Sequence, residues 1–143
     1  MWCSGTDYYL TKALDIRRTT QGPDSLDVEV LLTKRGNLYH RQGKFEQALP
    51  LFQSALAIAT RTEDQPLSAV ALAAAKRRGD TASNKERAAM IRTSIAGILK
   101  ELGRYSESLP LYEQSLRDKV ALYKGYTHYQ VAISMYVRWF LID

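Results

Sequence analysis

Few side chains in this 143-residue chain are equipped for catalysis. The histidines are His40 and His128, and Cys3 is the single cysteine, far from either in sequence. A metal centre needs His, Cys or carboxylate ligands at spacings that let them converge, and no pair here has one. Neither a glycine-rich phosphate loop nor a nucleophile elbow is present. His40 falls in the last turn of a helical pattern, where it reads as a solvated or C-capping side chain. Cys3 reads as a small apolar residue near the N-terminus. Arg78-Gly79-Asp80 spells an integrin-binding tripeptide, but that recognition needs an extracellular loop, and the glycine already serves as a helix stop. No catalytic residue, metal or cofactor is expected, so the remaining chemistry is that of a surface.

The totals bound what that surface can belong to. Hydrophobic residues make up 45% and charged residues 24%, an ordinary globular balance that excludes disorder over the whole length. The most apolar run, Val131 to Ile142, is shorter than the ~20 residues of a membrane span and contains Arg138. One cysteine allows no intramolecular disulfide, and the N-terminus has no signal-peptide pattern, so a cytoplasmic location is expected. The net charge of +5 permits an acidic partner without demanding one. The basic clusters Arg17-Arg18 and Lys76-Arg77-Arg78 read as helix ends, where cations are favoured.

The elements come from a duplication. GKFEQALPLFQSAL starts at Gly43 and GRYSESLPLYEQSL at Gly103, sixty positions on. Phe45, Ala48, Leu49, Phe52, Ala55, Leu56 and Ala59 form one helical stripe. Tyr105, Leu109, Tyr112 and Leu116 repeat it, with Ser108 and Ser115 at the small positions. A second helical pattern precedes each copy, with Leu31, Leu32, Leu38 and Tyr39 in one and Ile91, Ile95, Ile98, Leu99 and Leu102 in the other. Each stops at its glycine, where a left-handed residue is expected. The unit is helix, tight turn, helix. Upstream, Ala13 aligns with Ala55 at an offset of 42, so the spacing of sixty is one period plus eighteen inserted residues. Within that insert, Pro66 to Gly79 reads as an extra helix. After it, Ser83-Asn84-Lys85-Glu86 is a capping box. Seven helices are expected, at about 7–20, 26–42, 45–61, 65–78, 84–102, 105–123 and 127–142.

Gly36-x-x-Tyr39, Gly43, Phe45, Ala48-x-x-x-Phe52 and Ala55-Leu56 resemble the tetratricopeptide repeat. Gly36 and Ala96 stand where its paired helices approach closely. Gly22-Pro23-Asp24 and the in-helix prolines Pro50 and Pro110 resemble the 42-residue form found in kinesin light chains. The resemblance implies an all-α, helical-hairpin solenoid in one domain. Its parts are a partial repeat at 7–20, a repeat at 26–61, the inserted helix at 65–78, a repeat at 84–123 and a partial repeat at 127–142. On this register the chain opens on a second helix without its first and closes on a first helix without its second. That suits a fragment of a longer array, or ends covered by something else.

The resemblance also implies a concave groove lined by the first helix of each pair. Position by position, it gives Val30, Thr33, Lys34, Asn37, His40 and Arg41 in one repeat. In the other it gives Met90, Thr93, Ser94, Gly97, Lys100 and Glu101. The partner-binding candidates are Lys34, Asn37, Arg41, Thr93, Ser94 and Lys100. Asn37 occupies a position where such repeats hold a peptide backbone, since an amide both donates and accepts. Thr33 replaces the lysine of the family's carboxylate clamp, which argues against a receptor for C-terminal carboxylates. A non-enzymatic protein–protein module taking an extended or helical, acidic or neutral segment is expected. Nucleic-acid binding is disfavoured by the 42-residue period, since helical-repeat RNA readers use periods near 35. A structural subunit docking through apolar ends is the other alternative. The last expected helix is apolar nearly all round, so Trp139 and Phe140 are expected to contact a second copy or a larger assembly.

Overall fold

A computed structural model describes residues 2–62 and 83–123, together with the single positions 73, 76, 77, 135 and 139. Among the described residues there are five helices: α1 (Trp2–Gln21), α2 (Leu26–Arg41), α3 (Phe45–Arg61), α4 (Asn84–Glu101) and α5 (Tyr105–Leu122). Seven were expected. Apart from those single positions, the two at 65–78 and 127–142 lie outside the described residues. Most boundaries agree within a residue, but α1 begins at Trp2 rather than near residue 7. Gly5 does not stop it, because an internal glycine costs only about 1 kcal/mol relative to alanine.

Two glycines fold the chain into hairpins. Gly43 and Gly103 have φ of +71° and +74°, the left-handed conformation expected past a helix end. The Gly43 N–H donates to the His40 carbonyl at 3.0 Å and the Lys44 N–H to the Tyr39 carbonyl at 2.9 Å. The second turn closes the same way, Gly103 to Lys100 at 3.0 Å and Arg104 to Leu99 at 2.8 Å. Each following helix starts at once, with Ala48 bonded to the Lys44 carbonyl and Ser108 to that of Arg104. The turn has no slack, so α3 returns along α2 and α5 along α4. The starts of α2 and α4 are capped by serines: the Ser25 hydroxyl accepts from the Val28 N–H, and the Ser83 hydroxyl from the Glu86 N–H. The Glu86 carboxylate accepts from the Tyr123 hydroxyl at the far end of α5.

The stripes meet as the duplication requires. Val28, Leu32, Phe52, Ala55, Ile58, Ile91, Ile95 and Ile98 are all buried in one cluster. α2 and α3 approach so closely that a Cβ on Gly36 would lie 2.8 Å from the Phe52 ring. The second hairpin keeps the geometry and changes the chemistry. Where the first has buried Ala48 and Ala55, the second has Ser108 and Ser115, whose hydroxyls donate to the Ala96 and Ala89 carbonyls of α4 at 2.7 and 3.0 Å. Where the first has Leu32 and Ile58, the second has Arg92 and Asp118, paired at 2.6 Å. The stripe is not uniformly buried: Leu56 is half-buried and Tyr105 exposed, because they stand at its edges.

The joints between hairpins differ too. α3 packs on α4 with Leu49, Ile95 and Leu99, all buried. The equivalent positions between α1 and α2 hold Asp7, Arg35 and Tyr39. Arg35 Nε donates to Asp7 Oδ1 at 2.6 Å, and the Tyr39 hydroxyl to Asp7 Oδ2 at 2.8 Å. The Arg35 hydrogen bond holds the Asp7 carboxyl below its ordinary value of 3.8; burial opposes this shift and the Tyr39 bond adds to it.

Leu116→Ala should lower stability by about 2–5 kcal/mol, through a buried cavity. Leu56→Ala should cost less, since Leu56 is half-buried. Urea melts of the two variants check both the sign and the order. A depressed carboxyl stabilises the fold above its unfolded value and loses that contribution as pH falls through the folded one. Asp7→Asn should therefore destabilise the protein at neutral pH and remove part of the stability lost below pH 3.8 in the parent. Melts from pH 7 to pH 2 read both effects.

Candidate functional site

α2 and α4 are the first helices of their hairpins, and they flank one channel. Its contacts step along both helices in the same direction, so the two run parallel. A recess of about 390 Å³ is lined by Glu29, Val30, Thr33, Lys34 and Asn37 from α2, and by Arg87, Met90, Ile91 and Ser94 from α4. A second, of about 250 Å³, is lined by Asn37, His40, Phe52, Thr93, Ser94 and Gly97. Asn37 and Ser94 belong to both, so the recesses are continuous.

The channel floor is a buried polar chain. Glu29 and Arg87 are 2% and 7% exposed, and Arg87 Nε donates to Glu29 Oε2 at 3.0 Å. Arg87 also donates to Asn84 Oδ1 at 2.8 Å, and the Asn84 amide donates to the Thr62 carbonyl at 2.6 Å. The end of α3 is thereby fastened to the start of α4, across the point where residues 63–82 leave and return. The sequence marks Asn84 as part of a capping box and gives Glu29 and Arg87 no role, so the chain of bonds is not foreseen. Its signal was a charge beside Val28 and Leu32 on an apolar stripe.

Four of the six expected partner-binding residues line the channel: Lys34, Asn37, Thr93 and Ser94. Lys34 and Asn37 are exposed and have no hydrogen-bond or ion-pair partner among the described residues. The Ser94 hydroxyl donates to the Met90 carbonyl at 3.2 Å. The Thr93 hydroxyl is engaged in the floor, 2.6 Å from the Ser115 oxygen and accepting from Lys119 Nζ at 3.2 Å. Burial pushes the Lys119 ammonium down. Arg41 is exposed at the end of α2, outside both recesses. Lys100 also lies outside them, with its ammonium 3.4 Å from Glu101. Of the expected assembly contacts, Trp139 is 68% exposed, and Phe140 lies outside the described residues.

The channel offers an ammonium, an amide and a hydroxyl along the rim, with Val30, Ile91 and the 53% exposed Met90 as apolar contacts. Among the described residues no group of three or more His, Cys, Asp or Glu could hold a metal ion, and no helix is long and apolar enough to cross a membrane.

Glu29→Ala breaks the buried ion pair with Arg87 and should cost about 3–5 kcal/mol. Replacing both partners, Glu29→Leu with Arg87→Met, should recover most of that loss. Denaturation of the parent, the single and the double variant measures the difference.

Comparison with known proteins bears on the same elements. One tetratricopeptide repeat model matches residues 8–61 and 27–86, and a second matches residues 88–124. The matches start within α1 and run past the end of α5. A search of the curated proteins returned no match. Repeats of this kind are generally protein–protein interaction modules, built as helical hairpins whose first helices face a groove. With paired helices closed at Gly43 and Gly103, Gly36 against Phe52, and models matching more than half its length, the chain belongs to the tetratricopeptide repeat family.

Proposed function

We propose that this protein is a non-enzymatic interaction module that binds a segment of a partner protein in the channel between α2 and α4. The observation that carries the reading is the company Lys34 keeps. On the floor Glu29 is paired with Arg87, and among the described residues lining the recess Lys34 is the cation without a partner, beside apolar Val30, Met90 and Ile91. A partner segment with acidic residues complements that charge, and complementarity of this kind governs which partner associates and how fast. Arg41, one turn beyond Asn37 and outside both recesses, adds an exposed positive charge at the end of α2.

A second reading has an observation of its own. Trp139 and Met135 are exposed, and exposed apolar side chains near one another mark association surfaces. On that reading the protein joins a second copy or a larger assembly through its C-terminal region, with or without a ligand in the channel.

Lys34→Glu with Arg41→Glu should weaken binding to acidic twelve-residue synthetic peptides at least about tenfold. The melting temperature should hardly change, because exposed charges contribute only about 0–1 kcal/mol to stability. Fluorescence anisotropy against a peptide set graded in net charge reads the first, and a thermal melt the second. Undiminished binding of the acidic peptides by the double variant would place recognition outside the channel.

A further inference from the structure

Two glycines stand inside first helices, and the fold needs only one of them. A Cβ on Gly36 would lie 2.8 Å from the Phe52 ring, closer than packing tolerates. Among the described residues, a Cβ on Gly97 would meet only the Tyr112 hydroxyl, at 3.5 Å, which is ordinary contact. Gly97 has helical backbone within α4, where alanine is the better residue. The equivalent position in the first hairpin is Asn37, which does carry a side chain. Among the described residues, neither packing nor backbone conformation explains a glycine at 97.

The channel does. Gly97 lines the 250 Å³ recess together with Asn37, His40, Phe52, Thr93 and Ser94. An apolar cavity of about 150 Å³ is enough to hold benzene. The recess beside Gly97 thus has room for one branched or aromatic side chain, against a ring on one side and bare backbone on the other.

The neighbouring recess fixes what comes next along the ligand. It shares Asn37 and Ser94 and contains Lys34, which has no partner among the described residues. At 1.5 Å of rise per helical residue, the two recess centres are on the order of 6–9 Å apart. Residues i and i+2 of an extended strand are separated by roughly 6.6 Å and point to the same side. We infer that Gly97 is a specificity-determining position: its missing side chain opens a slot for an apolar side chain of an extended partner segment, whose carboxylate two residues away pairs with Lys34. This rests on the channel being the binding site. It adds the motif, an acidic and an apolar residue separated by one residue, and the residue that selects it.

The test uses the full chain and synthetic twelve-residue peptides in a Gly/Ser background. The peptides carry Glu-x-Leu, Leu-x-Glu, Glu-x-Gly or Glu-x-x-x-Leu, and binding is read by anisotropy. One of the first two should bind about tenfold or more tighter than Glu-x-Gly and Glu-x-x-x-Leu, the gain expected from burying one leucine. Gly97→Leu should fill the slot and abolish that advantage while leaving the dependence on Lys34 intact. Gly97→Ala should raise the melting temperature and reduce the advantage. If Gly97→Leu keeps the full preference while Lys34→Glu still weakens binding, the slot is refuted and the channel reading stands. If neither variant alters peptide binding, or no peptide binds, both are refuted. A lower melting temperature for Gly97→Ala would show that the fold needs this glycine, and would overturn the argument at its start.

Discussion

The bond between Glu29 and Arg87 is the constraint on which the channel depends. Two hairpins can stack through apolar contacts over a range of small rotations and slides. A hydrogen-bonded ion pair removed from water tolerates little of that, because any displacement leaves a desolvated charge poorly matched. The pair joins α2 to α4 directly, at the floor of the space between them. Asn84 extends the restraint to the end of α3 through the Thr62 carbonyl. That bond ties the end of α3 to the start of α4 on either side of residues 63–82. The same chain of bonds thus joins α2, α3 and α4 beneath the channel.

The two hairpins reach one geometry with different chemistry. The first packs alanines and a glycine against a phenylalanine. The second places serines where the alanines were and returns their hydroxyls to α4 carbonyls, so the small volume is kept and no buried hydroxyl is left unbonded. Arg92, Asp118 and Lys119 replace Leu32, Ile58 and Ala59, a shift from apolar to ionic contacts at matched positions. The joint between α1 and α2 makes the same exchange, with Asp7, Arg35 and Tyr39 where the next joint has leucines and an isoleucine. Hydrophobic burial is non-directional, whereas these pairs are directional. The middle of the described structure, α3 against α4, is thus its most apolar joint, and the outer contacts are more polar.

Features that act over a few residues were readable in the sequence. The duplicated stripe, the glycine stops at 43 and 103, the Ser83 cap and the close approach at Gly36 each follow from spacing and residue type. The line of channel residues followed from the repeat register, which located Lys34, Asn37, Thr93 and Ser94 on facing helices. What could not be read depends on partners distant in the chain. Glu29 and Arg87 are 58 residues apart, and nothing local marks them as a pair. Thr93 falls among the groove-facing candidates, but its hydroxyl is engaged by Ser115 and Lys119 on α5, a tertiary fact. Leu56 sits on the stripe yet is half-buried, because a stripe about 100° wide has edges that the neighbouring helices do not cover.

The central claim is that recognition takes place between α2 and α4. The most direct measurement is a titration of isotope-labelled protein with an acidic peptide, followed by backbone and methyl chemical shifts. The account predicts that the largest changes cluster on Val30, Lys34, Asn37, Met90, Ser94 and Gly97. It also predicts little change on the outward faces of α3 and α5. Changes centred on those outward faces or on Trp139, with the channel residues silent, would contradict it.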